Sequence, residues 1–280
     1  MSRIRLYGFF ALLSCLCSRS LPAQKDTVSL RPSLAQDSGR YFSSFDGTRI
    51  YYEVKGKGRP VLLVHGFIVN GESWKKIPLY RDLRDRGFQV ITLDLRGNGK
   101  SDKPHVPEAY AKDAEAKDII ALLNQLGIEH YSVIGYSRGS IITARLLVLD
   151  KRVDHAVLGG MGADFTNPEW PRRILFYRAL MGEPVKELEG VVKYIQSSGL
   201  DQQALACMQK EQPSTSPAEL SKVDKPVLVI CGDKDPDDGS PEDLAKMIPR
   251  SVCIRIPGDH GAALRSAEFS KEVISFLSHL

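Results

Sequence analysis

The chain is poor in cysteine. Of 280 residues five are cysteine, and two of these, Cys15 and Cys17, lie in an N-terminal apolar run. The remaining three, Cys207, Cys231 and Cys253, are an odd number without a CxxC pair, which excludes a disulfide framework and a cysteine zinc module. Charge of one sign is also scarce. The net charge is +4, and Arg3, Arg5 and Arg19 supply three of those four positive charges within the first 23 residues, where no acid occurs. A near-neutral body offers no electrostatic case for nucleic acid. Long apolar runs are missing too. Residues 6–17 are uncharged and mostly apolar, but these 12 residues fall short of the roughly 20 that a membrane helix needs. No internal repeat occurs. What is present is ordinary globular composition, 42% hydrophobic and 26% charged, enough to bury a core without metals or staples.

The N-terminus has the pattern of an export signal: Arg3 and Arg5, the apolar run 6–17, and the small residue Ala23 after Leu21-Pro22. The expectation is a signal peptide over 1–23 and a secreted or envelope location. Leu12-Leu13-Ser14-Cys15 reads alternatively as a lipobox with a lipid anchor at Cys15, and an uncleaved apolar start is the third reading. Residues 24–40 are polar and aperiodic, a flexible lead-in.

From Tyr41 a strand–helix alternation begins. A hairpin is predicted over 42–46 and 49–55 about Asp46-Gly47, then strands over 61–64 and 88–94 and a helix over 73–86. Ile119, Leu122, Leu123 and Leu126 repeat at i, i+3, i+4, i+7 and predict a helix over 109–126. Strands at 131–135, 155–159, 226–231 and 251–257 alternate with helices at 138–149, 240–248 and 263–279. This order implies an α/β fold with a mostly parallel sheet covered on both faces. Residues 163–225 hold Trp170, Phe176, Tyr177 and Tyr194 and no buried-strand pattern. They are expected to form a helical cap over the sheet's carboxyl edge, where open α/β sheets bind ligands.

The strongest chemical signal is Gly135-Tyr136-Ser137-Arg138-Gly139, a GxSxG run between an apolar strand and a helix. A sharp turn there projects the Ser137 hydroxyl, small residues two before and two after avoid clashes, and the helix N-terminus faces developing negative charge. With His65-Gly66-Phe67, the run over 94–101 (DLRGNGKS), Gly232-Asp233-Lys234-Asp235 and Pro257-Gly258-Asp259-His260, the chain from Tyr41 to Leu280 resembles the α/β-hydrolase superfamily, nearest its serine esterase and haloperoxidase-like branch.

That resemblance implies an α/β-hydrolase fold with Ser137 as nucleophile. Its order of nucleophile, acid and base leaves His155, His260 and His279 as bases; His260, between Gly258 and Gly261 in a loop after the last strand, is the expected one. For the acid, Asp235 holds the family's position, with Asp233 and Asp164 as alternatives. Backbone N–H groups of Phe67 and Arg138 would form the oxyanion hole. His65 resembles the family's structural histidine. The Arg138 side chain, where an apolar residue is more usual, is expected at the rim or in a structural role, with pairing to an acid under the cap as the alternative. Ser140 stands where relatives carry a second glycine.

Two other motifs fail. Gly99-Lys100-Ser101 mimics the end of a phosphate loop, but Asp94 occupies the position of its first glycine. Asp233, Asp235 and Asp237 mimic the start of a calcium loop, but Asp238 and Leu244 replace its glycine and glutamate. Neither a metal nor an organic cofactor is expected. The expected activity is hydrolysis of a small, largely apolar carboxylic ester through an acyl-enzyme. Lactonase, thioesterase, C–C bond hydrolase, perhydrolase and a non-catalytic binding protein are the alternatives. Family members that open epoxides or remove halide use an aspartate nucleophile, against which Ser137 argues.

Overall fold

The computed structural model describes residues 39–235 and 238–278. The expected signal, its lipobox alternative at Cys15, most of the lead-in, and His279 lie outside the described residues. Strands β1 (Arg40–Ser43) and β2 (Arg49–Lys55) form the hairpin, and Gly47 turns it at a φ of 87°, where a side chain would be strained. β1 therefore starts inside the expected lead-in. β3 (Pro60–Val64) follows. The single helix expected over 73–86 is instead a 3-10 turn (Gly71–Lys76) and α1 (Pro78–Asp85). Pro78 has no N–H to donate, so it fits the first turn of a helix and not its interior.

After β4 (Gln89–Leu93), α2 (Ala114–Gln125) begins five residues later than its periodicity predicts, because Lys112 and Asp113 take left-handed backbone at φ 56° and 61°. Then come β5 (Tyr131–Tyr136), α3 (Arg138–Leu149) and β6 (Val153–Gly159). Residues 163–225 carry α4 (Pro171–Leu180), α5 (Glu189–Ser197), α6 (Gln202–Lys210) and α7 (Pro217–Leu220), with 3-10 turns and no strand. The chain closes with β7 (Val227–Gly232), α8 (Pro241–Lys246), β8 (Ser251–Ile256), α9 (His260–Arg265) and α10 (Ala267–Ser278). The last two were expected as one helix. Extended backbone at Ser266 divides them, and its Oγ accepts the Phe269 N–H at 3.0 Å to start α10.

The eight strands form one sheet in the order β1-β2-β4-β3-β5-β6-β7-β8. β1 and β2 are antiparallel to their neighbours and the other pairings are parallel. Both faces are buried, so the parallel strands are continuously apolar and their side chains alternate between two cores. Leu62, Val64 and Val133 point to the face packed by α2 and α3. Val61, Leu63 and Ile134 point to the face where Leu79 and Leu83 of α1 meet Phe269 and Val273 of α10. Arg96 is fully buried beyond β4 and bonds Asp118 of α2 at 2.7 and 2.6 Å and Asp46 of the hairpin at 2.8 Å. That cluster helps hold α2, whose first turn carries Glu115 against Arg138, the residue after Ser137.

Candidate active site

In a parallel sheet every strand ends at the same edge. Phe67 follows β3, Ser137 follows β5, Asp235 follows β7 and His260 follows β8, so sequence positions nearly two hundred residues apart share one cleft. Ser137 has φ 55° and ψ −129°, strained for a residue with a Cβ. Its neighbours make that turn fit. A Cβ on Gly135 would lie 2.3 Å from the Gly139 carbonyl oxygen, and one on Gly139 would lie 2.1 Å from that of Val64. The Ser137 N–H donates to Gly159 O at 2.8 Å, and α3 starts at the next residue. Ser140 fits without strain because its Oγ donates to the same carbonyl at 2.8 Å.

His260 Nδ1 lies 2.7 Å from Asp235 Oδ2, with the carboxylate buried and the ring half-exposed. His260 opens α9 rather than sitting in a loop: Asp259 caps that helix, accepting from the N–H groups of Gly261 and Ala262 at 3.0 and 2.7 Å. The other acids lie elsewhere. Asp233 accepts the Gly258 N–H at 2.8 Å and shapes the turn, and Asp164 is exposed on the 3-10 turn Ala163–Thr166. His155 sits in β6, 3.4 Å from Ser132 Oγ, away from the cleft.

Ser137 and His260 line one cavity of about 140 Å³ with Phe67, Arg138, Ile141 and Met161. That volume is close to the ~150 Å³ that admits a single benzene ring. A Cβ on Gly66 would lie 3.4 Å from Ser137 Cβ, so the backbone before Phe67 runs beside the serine. Buried Asn98 holds this loop by donating to the carbonyls of Phe67 at 2.7 Å and Val69 at 3.1 Å. His65 is buried and keyed into it: Nδ1 bonds Gly66 O at 2.7 Å and Nε2 accepts the Leu95 N–H at 3.0 Å. Burial pushes its pKa below the usual value, so it is the neutral ring that makes these bonds.

Of the readings for the Arg138 side chain, the rim is excluded, and the structure shows a structural role through pairing with an acid. The side chain is 3% exposed and makes a bidentate pair with Glu115 of α2, itself 2% exposed, at 2.7 and 2.5 Å. α3 directs the side chain back beside α2, and only a carboxylate there can match a guanidinium taken out of water. The cavity's character differs from expectation. Trp170 and Phe176 line it, but so do Arg172, Arg173, Gln209 and Gln212, while Tyr194 is exposed. One turn of α4 brings 172, 173 and 176 to the same side, mixing charge with aromatic surface.

Sequence reasoning passed over two residues. Glu115 was unremarkable because acids are common in the first turn of any helix. Tyr136 occupies a variable position of GxSxG, yet its hydroxyl donates to the His260 carbonyl at 2.6 Å and its ring lies 5.2 Å from the imidazole. Burial keeps that phenol protonated.

An elbow serine between two obligatory glycines, at the carboxyl edge of an eight-stranded mostly parallel sheet, gives this chain the α/β-hydrolase fold. A family model for the alpha/beta hydrolase fold matches residues 59–183. The chain is 34% identical to a non-heme haloperoxidase of Rhodococcus erythropolis over 122 residues, 43% of each protein. It spans about two-fifths of the length of that relative. Among solved structures, an esterase from Exiguobacterium antarcticum superposes with a TM-score of 0.71 at 23% identity, covering 86% of this chain and 99% of the other. A bromoperoxidase from Bacillus anthracis gives 0.69 at 25% identity, covering 86% and 99%.

Proposed function

We propose that the protein is a serine hydrolase that cleaves a small carboxylic ester through an acyl-enzyme. The 2.7 Å contact between His260 Nδ1 and Asp235, in the cavity that Ser137 lines, carries this reading. Ser137 Oγ attacks the ester carbonyl and its proton passes to His260 Nε2. The Asp235 carboxylate accepts from Nδ1–H, which fixes the tautomer and stabilises the imidazolium. The backbone N–H groups of Phe67 and Arg138, the second at the positive end of α3, receive the oxyanion. His260 then protonates the departing alkoxide, leaving acyl-Ser137. Water, deprotonated by the same imidazole, releases the acid and restores the serine.

A fluorophosphonate probe should label the wild type and not Ser137→Ala, and p-nitrophenyl esters of short acids should be turned over. A folded wild type that neither labels nor turns over any ester sinks the reading. Export is part of the same proposal, supported by Arg3, Arg5 and the apolar run 6–17. N-terminal sequencing of the protein from its native cells tests it, and an intact Met1 refutes it.

A further inference from the structure

We infer that the ester carries a second, anionic group, a free carboxylate, and that Arg173 holds it; this rests on the serine-hydrolase reading above. Three arginines line the cavity: Arg138, Arg172 and Arg173. The first two have acidic partners. Arg138 is matched by Glu115 at 2.5 Å, and Arg172 faces Asp238 at 3.4 Å. Arg173 differs. Its bonds run to three carbonyls, those of Pro168 at 2.8 Å, Lys210 at 2.9 Å and Gln209 at 3.0 Å. Among the described residues no carboxylate pairs with it, and its buried Nε–H has no acceptor.

Carbonyl bonds orient a guanidinium without cancelling its charge. The cavity lining therefore keeps one cation held in place by its own backbone contacts, with the second Nη2–H left over by the three carbonyl bonds, and a held donor loses little freedom when a carboxylate docks. Gln209 and Gln212 line the same cavity and offer amide donors, while Trp170 and Phe176 can cover a short carbon stem. A cavity of about 140 Å³ suits a two- to four-carbon acid bearing the ester at one end and the carboxylate at the other. The competing role for Arg173 is a clip that joins α4 to the end of α6. A clip would affect stability without distinguishing an anion from its neutral analogue.

Calorimetric titration of the full Ser137→Ala chain with monomethyl succinate and with dimethyl succinate separates the two roles, and needs no turnover. The half-ester is expected to bind at least roughly ten-fold tighter, about 1.4 kcal/mol. Adding Arg173→Gln should bring the two ligands to within about two-fold of each other, and Arg173→Lys, which keeps the charge, should retain part of the preference. Melting curves identify a variant that has lost its fold, in which case the lysine variant and the parent preference decide. Equal or tighter binding of the diester, no detectable binding of the half-ester, or a preference that survives Arg173→Gln each overturns the inference. An enzyme that hydrolyses neutral esters but shows no such preference loses this inference and keeps the earlier reading. One that hydrolyses no ester loses the earlier reading.

Discussion

Glu115→Gln removes one charge from a buried pair and leaves the other. Arg138 is 3% exposed, its two terminal nitrogens are bound by Glu115 at 2.7 and 2.5 Å, and its Nε already lacks a partner. Gln can satisfy one of the two N–H groups but cannot neutralise the guanidinium. Breaking a buried pair in this way costs about 3–5 kcal/mol, a large share of the roughly 5–15 kcal/mol that holds a domain together. At about 2–4 °C per kcal/mol for a domain of this size, the melting temperature should fall by roughly 6 to 20 °C. The substitution also loosens the residue whose amide is proposed to face the oxyanion, so kcat should drop more than KM rises. Removing both charges is different: Glu115→Leu with Arg138→Met leaves no orphaned ion, and the double variant should be more stable than either single one. Thermal melts of the four proteins complete the cycle. A loss below about 1 kcal/mol in Glu115→Gln, or a double variant no better than the worse single, refutes the argument.

Asp235→Asn should lower kcat by roughly 10³ to 10⁴ because the His260 tautomer is no longer fixed, while Asp164→Asn should leave it within about two-fold; steady-state kinetics on one ester decides, and the reverse order would move the acid to Asp164. Arg145 hydrogen-bonds Glu219 at 2.8 Å and holds its carboxyl at about 2, below the usual 4.5. With the folded-state value depressed, this stabilisation is present above pH 4.5 and is lost as pH falls from 4.5 towards 2. Melting temperature against pH should therefore fall less steeply there in Glu219→Gln than in wild type, and parallel curves would contradict it. Burial pushes the Cys231 thiol up to about 12, and its sulfur accepts the Met161 N–H at 3.3 Å. Brief iodoacetamide treatment at pH 8, followed by peptide mapping, should leave Cys231 unmodified in the native protein and modified in urea; equal labelling in both would be inconsistent with its burial.

Strands were the most legible part of the chain. β3, β5 and β7 are short apolar runs bounded by turn residues, and burial on both faces demands that composition. Helix limits were less legible because single backbone conformations decide them: Pro78 splits one predicted helix, Lys112 and Asp113 delay another, and Ser266 divides a third. At the site, the elbow announces itself because Gly135 and Gly139 have no room for a Cβ. The Glu115–Arg138 pair does not, since it depends on how α2 meets α3, and neither local periodicity nor spacing carries that information. The same applies to the polar wall of the cavity. Nothing in the spacing of 163–225 marks Arg173, and only the folded chain brings it to the cavity that Ser137 lines.

Phe67 lies edge-on against Phe176 of α4, with ring centroids 5.7 Å apart. One residue thus takes part in two things: its backbone runs beside the nucleophile, and its ring supports the cap. Such an arrangement limits how the protein can be remodelled. Helices α4 to α7 could be exchanged for others that reshape the cavity, since they enter and leave the sheet between β6 and β7. Any replacement must still present a side chain that fills the space of Phe176, or the loop carrying Phe67 loses a support on its outer side. The insertion thus reaches the loop beside the nucleophile through this aromatic contact, while another of its ties to the core, that of Glu219 of α7 to Arg145 of α3, lies away from Ser137 in the chain.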